Sequence, residues 1–143
     1  MGGDVNDQYN LQRFVAAQQS AFDIVREELS KGRKRSHWMW FIFPQIEGLG
    51  HSAMARKYAI SSLAEARAYL QHPLLGPRLR ECCQLVAAVD GRSIEEIFGF
   101  PDYLKFQSSM TLFAQAGIDN QIFNECLRKY FDGAFDVSTL SRL

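Results

Sequence analysis

The sequence predicts an all-α fold, a single compact domain of about six helices with one irregular, extended aromatic segment near residues 37–50. Three observations predict it. Apolar residues recur at intervals of three and four along most of the chain, which places them on one face of a helix. Ser62 with Glu65, and Ser93 with Glu96, have the Ser-x-x-Glu spacing of a capping box. Pro77, Pro101, Gly32 and Gly133 stand where helices start or stop.

Residues 1–9 read as a flexible tail and residues 10–143 as the domain. The first long helix carries Leu11, Phe14, Val15, Phe22, Val25 and Leu29 on its stripe, with Asn10 as N-cap and Gly32 at its stop. Gln18 lies on the same stripe, and its amide needs partners if buried. Trp38 to Pro44 is an unbroken apolar run followed by Gly48 and Gly50, which reads as buried extended chain. In that form His37, Met39 and Phe41 face one side, and Trp38, Trp40 and Ile42 the other. The Ser62 box then opens a helix through Leu63, Ala66 and Leu70. Gly76 as N-cap and Pro77 at the first position open the next, with Leu79, Cys82, Val86 and Val89 as its stripe. Ser93 opens a further helix, and Pro101 one through Tyr103, Phe106, Met110 and Phe113. Ile122, Phe123, Cys126, Leu127 and Tyr130 mark the last, stopped near Gly133.

The chain has 143 residues, of which 47% are hydrophobic, enough to build a core without staples. Eleven Phe, five Tyr and two Trp exclude disorder as the main state. No run approaches the ~20 apolar residues of a membrane span. The first residues lack the basic and apolar regions of a secretory signal. Cys82, Cys83 and Cys126 make a poor disulfide framework, so the sequence predicts reduced, buried thiols in a cytoplasmic protein.

Charge is balanced overall but not along the chain. Residues 26–80 hold ten basic against four acidic side chains, and residues 81–143 hold five against nine. The basic middle suits an anionic ligand, unless the acidic half covers it in space. Zero net charge argues against nucleic acid as a partner. There is no glycine-rich phosphate loop, dinucleotide fingerprint, nucleophile elbow or paired-histidine zinc motif. His37, His51 and His72 are too scattered to ligate a metal, so neither metal nor cofactor is expected.

Four local features could carry chemistry. In Arg33-Lys34-Arg35-Ser36-His37-Trp38-Met39-Trp40, cations beside indoles can hold an anion and stack a ring. Equally, both tryptophans can be core while the basic residues solvate a helix end. Gln45 to Ser52 has two glycines that allow close backbone approach, or simply a turn. Lys105, Ser108 and Ser109 share one helix face, where an ammonium beside two hydroxyls suits a phosphate and small residues suit close packing. Arg78 and Arg80 at a helix start need relief from the dipole, from a bound anion or, the favoured reading, from acidic neighbours.

The chain closely resembles the DUF1810 family, a mainly bacterial group of unknown function. The likeness runs from Leu11 to Leu143. It rests on Leu11 to Gln18, on the long run Gly32 to Gln45 with its unusual His-Trp-Met-Trp-Phe-Ile-Phe-Pro-Gln, on Gly48-Leu49-Gly50 and on Leu75 to Leu79 and Ser108 to Phe113. Phe106 departs from the pattern, which often has Leu there. The resemblance implies a mainly helical structure and supplies no activity.

Polar groups fixed among bulky aromatics are costly unless they pair or bind something. The sequence therefore predicts a cleft for a small anionic, phosphate-bearing or nucleotide-like ligand, with hydrolysis left open. His37 is the candidate acid–base group. Arg13, Gln18, Arg33, Lys34, Trp38, Trp40, Gln45, Lys105, Ser108 and Ser109 are the candidate ligand contacts. The alternative is a non-catalytic interaction module.

Overall fold

A computed structural model describes residues 7–117 and 119–143. Among these, ten helices follow one another: α1 Gln12–Gln19, α2 Phe22–Ser30, α3 Met39–Ile42, α4 Ala53–Lys57, α5 Leu63–Gln71, α6 Leu75–Ala87, α7 Ile94–Phe98, α8 Asp102–Ala116, α9 Gln121–Phe131 and α10 Val137–Leu140. The all-α expectation holds. The larger number comes from short one-turn helices and from a break in the first long one.

That break falls at Ser20–Ala21, where the Ala21 N–H bonds back three residues to the Gln18 carbonyl and tightens the chain. Asn10 is not the N-cap. It has a positive φ, and the Asp7 carboxylate instead accepts the N–H groups of Leu11 (2.7 Å) and Gln12 (2.9 Å). Asp7 to Tyr9 thus form a turn that Asp7 ties to the start of α1, while the rest of the expected tail, residues 1–6, lies outside the described residues. At the other end, Gly32 (φ +72°) closes α2 as expected. Its N–H meets the Leu29 carbonyl and that of Arg33 meets Glu28, the paired bonds of a Schellman motif.

The largest correction concerns residues 38–44. The expected extended chain is a helical turn: Ile42 N–H bonds to the Trp38 carbonyl and Phe43 N–H to Met39. A short apolar run enclosed on all sides cannot be told from a buried helix by pattern, and Trp38, Met39, Phe41 and Ile42 are all buried here. Pro44 then stops the turn by restricting Phe43. The chain after it is pinned by a short parallel bridge, with Ile60 N–H to Gln45 O (2.8 Å) and Glu47 N–H to Ile60 O (2.9 Å).

The core centres on α8, which packs against α5, α7, α9 and α10. Every residue from Ser108 to Ala114 is buried, the mark of a helix enclosed all round. Phe43 meets Phe106 edge-on at 5.0 Å, and Phe98 stacks on Phe106 at 4.8 Å, so α8 ties the aromatic turn to α7. Both capping serines act as expected. Ser93 forms the full box with Glu96, whereas the Glu65 side chain turns instead to Ser61 and Arg13. The α6 start moves to Leu75, because the His72 Nδ1 accepts the N–H groups of Leu74 and Leu75. No described helix is long and apolar enough to cross a membrane.

Gly76 sits where α5 ends and α6 begins, and a Cβ built there would lie 2.1 Å from the Leu70 carbonyl oxygen. Backbone cannot retreat as a side chain can. Gly76→Ala is therefore expected to lower unfolding stability by about 3 kcal/mol, the upper end of overpacking costs, measured by urea denaturation.

Candidate ligand-binding site

The basic-aromatic block is organised by Glu28. Its Oε1 accepts the backbone N–H groups of Arg35 (2.8 Å) and Ser36 (3.0 Å) and the Trp38 indole N–H (2.9 Å); its Oε2 accepts the Ser36 hydroxyl (2.5 Å). Burial pushes this carboxyl up, but the bonds from Ser36, Arg35 and Trp38 outweigh it and hold it down at about 2, against an ordinary 4.5. Trp38 is consequently a core residue, 1% exposed, and has no face free for stacking.

Lys34 also turns inward. Its N–H bonds to the Ile97 carbonyl (2.7 Å), and its Nζ lies 2.9 Å from Asp102 Oδ2 and 5.2 Å from the Trp38 ring centroid. The other Asp102 oxygen faces Lys105 Nζ at 3.4 Å, and Lys105 in turn lies 5.3 Å over the Trp40 ring. One carboxylate thus spaces two ammonium groups, each set on a different indole.

Trp40 is the indole that reaches a hollow. Residues two apart on a helix point roughly 200° apart, so the turn at α3 sends Trp38 inward and Trp40 outward, where an extended chain would have kept them together. The hollow is about 440 Å³. Trp40 and Lys105 form one wall, joined by Gln45 and by Ser108 of α8. The chain from Leu49 to Ser52 and the α10 start at Asp136 and Ser138 close it. Ser108 Oγ donates to Asp136 Oδ2 (3.0 Å), which also takes the Thr139 hydroxyl (2.6 Å) and N–H (3.1 Å). Asp136 is therefore a largely satisfied helix cap on the wall, and Lys105 is the cation there.

The predicted residues divide accordingly. Trp40, Gln45, Lys105 and Ser108 converge on the cavity. Arg13 does not reach it. Its guanidinium donates to the carbonyls of Lys57, Ala59, Tyr9 and Asn10 and pairs with Glu65 at 3.0 Å. Gln18, 1% exposed, donates to the Phe41 carbonyl (2.7 Å) and the Tyr69 hydroxyl (3.1 Å) and accepts from Arg78 (3.3 Å), the satisfied structural amide its position allowed. Ser109 is fully buried, and its Oγ has no partner among the described residues. Arg33 and His37 are exposed and stand outside this lining. The imidazole on the wall is His51 instead, from the segment with two glycines, Gln45 to Ser52. Asp136 and Ser138 gave no signal beyond an Asp ahead of a one-turn helix.

Two further expectations are settled. Among the described residues Arg78 and Arg80 pair with no carboxylate: Arg78 reaches Gln18 and lies 4.7 Å over Phe22, and Arg80 donates to the Asp119 carbonyl (3.1 Å). Amide oxygens and a ring face offset the charge there. The three cysteines are buried and unpaired, and burial pushes the Cys82 thiol up to about 12. A second hollow of about 490 Å³ lies between Arg67, Gln71 and Arg80, but no ring lines it and none of the predicted residues reaches it. Among the described residues no group of His, Cys, Asp or Glu is placed to hold a metal.

With this geometry in hand, the relatives fix the class of protein. The family model described as protein of unknown function, DUF1810, matches residues 8–143, and the chain belongs to that family. A similar solved structure is the conserved hypothetical protein Rv1873 from Mycobacterium tuberculosis, at 60% identity and TM-score 0.95 over 96% of this chain and 98% of that one. No curated protein matches.

Glu28 gives a signed pH dependence. Its native carboxyl holds its proton less tightly than the unfolded one, so its stabilisation is complete above about pH 5 and is lost as pH falls toward 2. The lost share is about 3 kcal/mol. Urea unfolding of the native chain should fall toward that of Glu28→Gln between pH 5 and 2, the difference shrinking by that amount; parallel curves would contradict the assignment.

Proposed function

We propose that the protein binds a small ligand joining a planar ring to one anionic group, of the nucleotide-like or aryl phosphate type, in the Trp40–Lys105 cavity. The observation that carries this is the half-buried Trp40 face, with the Lys105 ammonium 5.3 Å from its centroid, on the wall of a 440 Å³ hollow. A ring can lie against the indole while the anion meets the spare Nζ donors. Lys105 keeps such donors because its bond to Asp102 is long, at 3.4 Å. Gln45, Ser52 and Ser138 add neutral hydrogen-bonding groups, and His51 a ring nitrogen. Binding is the reading the geometry supports best. His37 stands outside the cavity, so the hydrolytic role considered for it has no partner there.

A second reading, docking of a protein over the same mouth, draws on Phe100 (80% exposed) and Val137 (76% exposed), chain neighbours of the lining residues Pro101, Asp136 and Ser138. Thermal unfolding with AMP and phenyl phosphate separates the two. At ten times its Kd a ligand should raise Tm by about 4 °C. Lys105→Met and Trp40→Leu should each remove that shift, and Phe100→Ser should leave it intact. No shift with either compound at millimolar concentration would overturn the ligand reading, and loss of the shift in Phe100→Ser would move the contact to the exposed rim.

A further inference from the structure

Away from the Trp40 cavity, we propose that Arg33, Arg35 and Arg92 form a second site, for a compact polyanion of the pyrophosphate class. The local sequence is Arg-Lys-Arg in a segment outside every helix, where Arg33 and Arg35 are exposed and Lys34 between them is not. Lys34 is the inward one, its side chain 8% exposed and paired with Asp102. Arg33 and Arg35 are left facing outward together. The backbone that carries them is held at three points: by the Schellman bonds at Gly32, by the Lys34 N–H on the Ile97 carbonyl, and by the Arg35 and Ser36 N–H groups on Glu28. The two guanidiniums therefore project from a fixed frame, which lowers the ordering cost of binding.

Arg92 comes from the α6–α7 connection. Its approach depends on Gly32: a Cβ there would lie 3.2 Å from Arg92 Cδ and 3.0 Å from Val89 Cγ1. The missing side chain admits the arginine stem beside the loop. Arg33, Arg35 and Arg92, with Lys31, Glu27 and Glu28, line one hollow of about 280 Å³.

The charges do not cancel. Four cations face two carboxylates in the hollow, and the exposed Glu96 carboxylate is within electrostatic reach of Arg92. Glu27 is spanned by Lys31 at 3.9 Å, and both Glu28 oxygens are taken by neutral donors. Among the described residues none of the three guanidiniums makes an ion pair or a side-chain hydrogen bond. The cations outnumber the carboxylates, so the hollow keeps a net positive charge that an entering anion offsets. Guanidinium matches phosphoryl oxygens two at a time, and these three forks come from two separate segments, so two linked phosphoryl groups, with more charge and more reach than one, suit them best. None of the residues lining this site lines the Trp40 cavity, so the two can be tested apart.

Titration calorimetry at low salt with pyrophosphate, ADP, inorganic phosphate and a short single-stranded RNA tests the site. Pyrophosphate should bind, ADP should bind comparably through its diphosphate in the Lys105→Met chain, and inorganic phosphate should bind about tenfold more weakly or not at all. Arg92→Gln should weaken pyrophosphate about tenfold, and Arg33→Gln with Arg35→Gln should abolish it, with Tm unchanged because all three side chains are exposed. Lys105→Met should leave it unaltered, which keeps failure here distinct from failure of the Trp40 cavity. Absence of pyrophosphate binding, binding indifferent to Arg92→Gln, or RNA binding that outcompetes pyrophosphate would each overturn the proposal.

Discussion

A single buried carboxylate decides how the most distinctive part of this sequence is arranged. Glu28 accepts four hydrogen bonds, from two backbone amides, a hydroxyl and an indole, all from residues 35–38. No cation is within ion-pairing distance of it among the described residues. A buried carboxylate left unbonded would be intolerable, so the segment must come to it and must stay. Because the donors are consecutive, fixing them also fixes the direction in which Arg33 to Trp40 run.

The consequences spread outward from that constraint. Trp38 is drawn into the core beside Phe43 and Phe98, and Lys34 is turned to Asp102. Asp102 then spaces Lys34 from Lys105, and the helical turn after Trp38 swings Trp40 to the other side. A block that looks uniformly basic and aromatic is thereby sorted. Its inner members stabilise the fold. Trp40 is left to line one hollow, while Arg33 and Arg35 line another.

The helical class was legible from spacing and caps alone. Ser93 with Glu96, Gly32 and the stripe through Val25 and Leu29 all behave as local rules require, because each depends on residues within one or two turns. The aromatic turn was not legible. An apolar run from Trp38 to Pro44 is compatible with either buried strand or buried helix, and only the Glu28 and Met39 bonds decide. The site was legible in part for the same reason. Lys105 and Ser108 share a helix face by local geometry, and they do reach one cavity with Trp40 and Gln45. Arg13, Gln18 and Lys34 were recognisable as polar groups needing partners, but whether the partner is a ligand or the chain itself depends on contacts more than 20 residues away in sequence. In each case the chain itself supplies it. His51, Asp136 and Ser138 enter the cavity through tertiary packing, which leaves no periodic trace.

Amide hydrogen exchange followed residue by residue tests the organising role of Glu28 most directly. Arg35 and Ser36 lie outside every helix, in a segment exposed or half-buried, where amides ordinarily exchange freely. If Glu28 anchors the block, both amides exchange as slowly as those of neighbouring helices in the native chain, and in Glu28→Gln their protection and that of the Trp38 indole N–H fall together. Rapid exchange at Arg35 and Ser36 in the native chain, beside a protected α2, would contradict the account.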